Sequence, residues 1–386
     1  MIPYHYRKTG MNMKNHRKLF FVMLGLLIAG LVSGCSGAAG AASSWPGVTA
    51  DGETGFFAYG SQVFAINTKN GSLQWQYPAE ADTKVQFYAS PAVTEDTVYA
   101  GTYANTLVAI NRANGVEKWV FKGANDRYIG APLAVNGNVY APNSDKFLYA
   151  LNSNGDLLWK FETAGPIWTQ PLSDGTNIYL TSMDHFVYGL NMDYPANELV
   201  LDKNGSRTQV SSPLWKTDLG TAVVADPILS DGSIYVATID GHLHSVDAAS
   251  GRLNWTFTNG EGYRAVWGSL VVTDEAVFFG DEDGNIFAVS PENGQPIWAG
   301  PYSAGASVTA GGVLTEKGPL FINEEGRVFV IGIEQDPQPV VSLNTAIFAS
   351  PVAADGRVLV APATREKLFI AIDLNGNEIW SFIPSK

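Results

Sequence analysis

From residue 45 onward, short apolar runs alternate with polar turns rich in Gly, Asp and Asn. The stretch 98–121, VYAGTYANTLVAINRANGVEKWVF, shows the pattern plainly. Val98-Tyr99-Ala100 and Leu107-Val108-Ala109-Ile110 are β-branched, aromatic and apolar, the composition of strands buried on both faces. Asn111 to Gly115 turns the chain: an Asx side chain can bond the backbone, and Gly takes the positive φ of a tight hairpin. A further strand begins at Trp119. Upstream, Ala89 to Val93 forms another, with Pro91 near its start, where a missing donor costs least. Four antiparallel strands joined by hairpins make one unit.

The unit repeats. Trp75, Trp119, Trp159, Trp215, Trp255, Trp298 and Trp380 are separated by 44, 40, 56, 40, 43 and 82 residues. The fourth unit carries an insertion of about 16 residues around Leu199 to Val210, and the last interval spans two units with one Trp missing, giving eight units. A small residue precedes each Trp on the neighbouring strand: Ala65, Ala109, Ala150, Gly189, Ser245, Ala288 and Ala371. Such a residue leaves a slot into which an indole can lie flat. In the seventh unit, Val330 takes the slot position and Val340 the Trp position, so slot and plug change size together. Asn136-Gly137, Asp174-Gly175, Asp231-Gly232 and Asp355-Gly356 are expected to join first strands to second. Asp240-Gly241, Asp283-Gly284 and Glu325-Gly326 are expected to join second to third.

The amino end reads differently. Lys14 to Lys18 is basic, and Leu19 to Val32 is an apolar run of 14 residues, short for a bilayer span and right for a signal sequence. Leu31-Val32-Ser33-Gly34-Cys35 has the form of a lipobox, with Cys35 as the lipidated residue. Translation could start at Met1, Met11 or Met13. The expected organisation is a signal peptide over 1–34, a lipidated Cys and flexible small-residue tether over 35–44, and one propeller domain over 45–383. Ser36 after the Cys resembles an outer-membrane sorting signal.

Charge narrows the partners. Residues 1–34 hold Arg7, Lys8, Lys14, Arg17 and Lys18 and no acidic residue. The rest carries 19 basic against 37 acidic side chains, which repels phosphate backbones and anionic lipid heads and argues against nucleic acid. With one Cys in the chain there is no internal disulfide framework.

The repeat of Gly-x-x-x-x-x-Leu-x-Ala followed by Asx, Gly and Trp resembles the pyrroloquinoline-quinone-type repeat with its tryptophan-docking motif. Eight such repeats behind a lipobox resemble the BamB-type lipoproteins of outer-membrane protein assembly. The resemblance implies an all-β, eight-bladed propeller of four-stranded blades that acts as a non-catalytic envelope scaffold on a barrel-assembly partner, membrane-bound through its lipid alone. It places the chain on the periplasmic side of the outer membrane or, in a host without one, on the outer face of the cytoplasmic membrane. A surface-exposed carbohydrate- or peptide-binding propeller and a quinoprotein-type oxidoreductase are the alternatives. Quinoproteins of this repeat family hold their cofactor near a vicinal Cys pair, which one Cys cannot supply, so no cofactor is expected. Nucleophile-elbow, zincin, Walker and Rossmann motifs are lacking from the sequence.

Three local patterns are candidates for chemistry. Asp281 to Asn285 resembles a calcium loop but aligns with hairpin turns. His242 and His244 fall on one strand face, a possible metal pair but more simply solvated strand residues. Large residues recur three positions ahead of each first strand: Tyr88, Ile129, Trp168, Val224, Trp267 and Phe348. In a propeller these positions approach the channel mouth, either plugging it or presenting a docking face. Tyr88, Arg127, Tyr128, Trp168, Arg264, Trp267 and Phe348 form the candidate face, suited to an extended peptide or an acidic loop.

Overall fold

The computed structural model describes residues 46–193, 199–201, 207–209, 212–258, 264–363 and 367–384. The signal peptide, Cys35 and the tether lie outside them. The described residues form eight four-stranded antiparallel sheets and one two-stranded hairpin, all β. The sheets are the blades of a propeller, occupying 47–77, 92–121, 133–162, 172–218, 228–258, 271–303, 312–342 and 352–382. In each blade the strands follow one another in chain order, except that the fourth blade skips the hairpin Leu199–Leu201 with Arg207–Gln209 before its outer strand. That hairpin is the expected insertion. Neighbouring blades touch through their first strands, so the first strand of each blade is innermost and lines the axis.

The repeated sequence explains the repeated strands. The second and third strands of every blade are buried on both faces, as Thr97–Gly101 and Leu107–Asn111 illustrate, and both are made of apolar and β-branched residues. Trp119 lies inside its strand, Glu117–Phe121, which begins two residues before the expected start at Trp119. The dipeptides Asn136-Gly137, Asp231-Gly232 and Asp355-Gly356 have positive φ at both residues, as a primed hairpin turn requires.

Six of the seven small slot residues pair with their Trp; in the sixth blade the outer strand is Tyr302–Ser303, so Trp298 lies ahead of it and shares a core cluster with Ala288 without a register pairing. Ala65, Ala109, Ala150, Gly189, Ser245 and Ala371 are the register partners of Trp75, Trp119, Trp159, Trp215, Trp255 and Trp380. The indoles do more than fill a slot within their own blade; they reach the turn of the next. A Cβ added to Gly115 would stand 2.9 Å from the Trp75 ring, so that turn needs Gly for room as well as for its φ of 72°. Trp75 Nε1 donates to the Arg112 carbonyl at 2.7 Å, Trp119 Nε1 to Ser153 at 2.9 Å and Trp298 Nε1 to Ile333 at 2.7 Å. One residue thus buries apolar area and satisfies a carbonyl across a blade boundary.

The seventh blade departs from the expected alignment. Val330 pairs with Leu320 as a slot residue should, but its partner on the outer strand is Gln338 rather than Val340. The bulge that follows the slot in other blades falls two residues earlier here, between Val328 and Phe329, and Val341 takes the register position of the missing Trp. Val340 is the extra, bulged residue. Its carbonyl would lie 2.1 Å from a Cβ on Gly376, where Trp75, Trp119, Trp215, Trp255 and Trp380 present an indole to a turn glycine.

Candidate functional site

Two kinds of connection share one face of the ring: the loops that enter each inner strand and the turns that join second strands to third. The backbone holds them together blade after blade. Tyr103 N–H donates to the Gln86 carbonyl, Ser144 to Arg127, Met183 to Pro166, Ile239 to Ala222, Glu282 to Ala265, Glu324 to Ser307 and Ala363 to Ala346. These loops are therefore rigid carriers for whatever side chains they display.

Within the entering loops burial alternates residue by residue. Phe87, Ile167, Val223, Val266 and Ile347 are fully buried anchors, and the residue after each, Tyr88, Trp168, Val224, Trp267 or Phe348, is half-buried at the mouth. Tyr128 falls on the anchor phase. It is 1% exposed, packs against Gly101 and belongs to the core between blades two and three, so it lies outside the docking face to which its sequence position had assigned it. The signal that could have separated it is the period of two: Tyr128 is four residues ahead of Pro132, the mouth positions three.

The displayed residues form two clusters. On blades two to four, Tyr88 stacks on Tyr103 with ring centroids 3.7 Å apart, and the Arg127 guanidinium stands 5.4 Å over Tyr103. Arg127 also pairs with Asp126 at 3.7 Å, and Trp168 Nε1 donates to Ser144 Oγ at 3.1 Å. Burial pushes the Tyr103 hydroxyl up to about 12, against the pull of Arg127. On blade six, Arg264 forms an ion pair with Asp283, and Trp267 hydrogen-bonds the Glu282 carboxylate, whose pKa burial nevertheless raises. Both guanidiniums are engaged within the protein, which disfavours the acidic-loop half of the expectation from sequence.

Sequence reasoning missed Asp226. It precedes Pro227 at the start of an inner strand, in the ring position held elsewhere by Ser90, Gln170, Ser269 and Ser350. Its side chain is exposed, although neighbouring protein atoms crowd the carboxylate. Burial raises its pKa, and the one hydrogen bond to its carboxylate comes from the Gln170 N–H at 2.7 Å. Ser269 Oγ and Ser350 Oγ, which lead into blades six and eight, meet at 2.6 Å beside the entry to blade seven.

The two other candidates resolve as structure. Asp281 accepts from the N–H groups of Asp283 and Asn285 and from the Asn285 side chain, closing a hairpin turn. His244 is not a solvated residue: it is 4% exposed and its Nδ1 lies 3.0 Å from Thr256 Oγ1, in a row filled by Phe64, Tyr149 and Tyr188 in other blades. His242 is half-buried beside Asp240 at 3.0 Å.

A family profile described as "Outer membrane protein assembly factor BamB" matches residues 36–177 and 207–346. The chain belongs to the BamB family. Among family members, BamB of Salmonella typhimurium is 26% identical over 331 residues, covering 71% of this chain and 82% of that protein. BamB of Burkholderia pseudomallei is 26% identical over 191 residues, 48% of this chain and 46% of that protein. The crystal structure of BamB from Moraxella catarrhalis superposes with a TM-score of 0.66 at 17% identity, covering 84% of this chain and 92% of that one, and so shares the fold.

Proposed function

We propose that this BamB-family chain is a non-catalytic scaffold of the cell envelope, lipid-anchored through Cys35 on the periplasmic side of the outer membrane. It docks through its channel mouth on a partner of the outer-membrane protein assembly machinery. One observation supports the docking face above others: half-exposed Tyr88, Trp168, Trp267 and Phe348 stand on loops that backbone hydrogen bonds lock to neighbouring turns. Large aromatics on a rigid scaffold lose little entropy on binding and dominate interface energetics. The chain's one cysteine, Cys35, cannot make the vicinal pair of a quinoprotein site, and the mouth cations are tied to Asp126 and Asp283, so no step is routed through a quinone.

The test is capture of barrel-assembly components from envelope extract by Trp168→Ala combined with Trp267→Ala. Capture is expected to weaken by about 2 kcal/mol or more, with a smaller loss of thermal stability than Trp119→Ala causes. Unchanged capture with a large stability loss would make these residues plugs of the funnel and move the docking face elsewhere.

A further inference from the structure

The mouth has an electrostatic sign opposite to the one its arginines suggest. Arg127 is held by Asp126 and the Tyr103 ring, and Arg264 by Asp283. Beside them the same face carries anionic groups: Asp226, which accepts the Gln170 N–H, and exposed Glu282 beside Trp267. The aromatic walls at Trp168 and Trp267 offer π faces, which attract cations and are indifferent or hostile to carboxylates. A carboxylate on the entering loop of blade five, between the blades that carry Trp168 and Trp267, suits an ammonium or guanidinium on a long apolar stem.

We propose that the channel mouth receives a lysine or arginine side chain from an extended segment of the docked partner, its charge meeting Asp226 and its stem lying against Trp168 and Trp267. This deepens the docking reading above and rests on it. The occupant is a basic peptide segment rather than a free metal ion. The ring offers one carboxylate among hydroxyl and amide groups, and two of those hydroxyls, Ser269 and Ser350, are already committed to each other. The net acidity of the body would draw such a segment in.

The experiment titrates the full chain, purified in detergent, into fluorescein-labelled alanine-glycine nonapeptides carrying one central arginine, lysine, norleucine or glutamate, read by fluorescence polarisation at low salt. The arginine and lysine peptides should bind at least tenfold more tightly than the other two, and Asp226→Asn should erase that preference. Asp226→Ser serves as a second variant, since Ser already occupies this ring position in three blades. Equal binding of all four peptides, or a basic preference that survives both variants, overturns the proposal. So does terbium luminescence showing a lanthanide or calcium site at Asp226 that leaves peptide binding unchanged. Loss of partner capture in the Trp168 and Trp267 double variant without any basic preference would sink this charge assignment alone and leave the docking reading standing.

Discussion

Trp380 Nε1 donates to the Thr68 carbonyl at 2.8 Å, joining residues 312 apart in the chain. The same indole lies against Gly71, whose added Cβ would come within 2.7 Å of the ring, and it shares a core cluster with Phe57, Phe64 and Phe369. The eighth blade therefore closes on the first through the device that Trp75, Trp119, Trp215 and Trp255 use at their own boundaries. A ring shut this way leaves no apolar blade face open at its seam.

Opening that seam should be costly and local. Trp380→Ala is expected to lose about 3–5 kcal/mol, as other large-to-small core changes do. Hydrogen exchange should speed up first in Gly47–Asp51 and Glu378–Phe382, the strands on either side of the seam. Trp380→Phe should fall between, near 2 kcal/mol, since it keeps most of the apolar area and drops the bond to Thr68. Exchange that accelerates uniformly around all eight blades would show that the seam is not where the ring opens.

The seventh blade supplies an internal control. Trp119 spans a blade boundary by ring contact and by its bond to Ser153, whereas Val341 fills the equivalent register position with far fewer atoms. Trp119→Ala should cost about 3–5 kcal/mol and Val341→Ala about 1–2 kcal/mol in denaturant unfolding. Similar losses at the two sites would contradict the idea that this boundary is held by backbone contact with Gly376 rather than by a plug.

Most of the fold was legible because its determinants are local and repeated. A Trp, a small partner and a Gly turn recur at nearly constant spacing, and each hairpin carries its own turn chemistry. What the sequence did not reveal is where each indole goes next. Contact between Trp75 and Gly115 crosses a blade boundary, and no local pattern distinguishes that from packing within one blade. The shifted bulge at Val328 was hidden for a related reason: without the Trp there is no landmark from which to count the register. At the mouth, residue type alone does not separate Tyr128 from Tyr88; only the period-of-two phase relative to the following Pro tells the buried anchor from the displayed residue. Asp226 escaped notice because its meaning depends on lying in a ring assembled from eight separate strands.

His244 should shape the acid limb of stability. Burial, with repulsion from His242, lowers its imidazole pKa from 6.5 to about 4. Above pH 6.5 the residue is neutral whether the chain is folded or not, and the packing it provides is fully present. As pH falls from 6.5 toward 4, the unfolded chain takes up a proton that the folded one resists, so stability declines by up to about 3 kcal/mol. His244→Phe places in this row the residue that position 64 already carries, and it should flatten the decline of melting temperature across that window. An unchanged slope in the variant would mean that other groups, not this buried imidazole, set the acid response.

Membrane attachment is expected to depend on Cys35 and on little else. The chain beyond residue 34 carries 37 acidic against 19 basic side chains, so an anionic lipid surface repels it over distances of about a Debye length, roughly 8 Å at physiological salt. Lipid on Cys35 would supply the two or more acyl chains that stable anchoring needs, and the small-residue stretch from Ser36 to Ser44 would let the folded body stand clear of the bilayer. Cys35→Ala should therefore release the protein from the membrane fraction while leaving its melting temperature unchanged. Variant protein that still sediments with membranes after a high-salt wash would require another anchor and would remove the lipid from the proposed function.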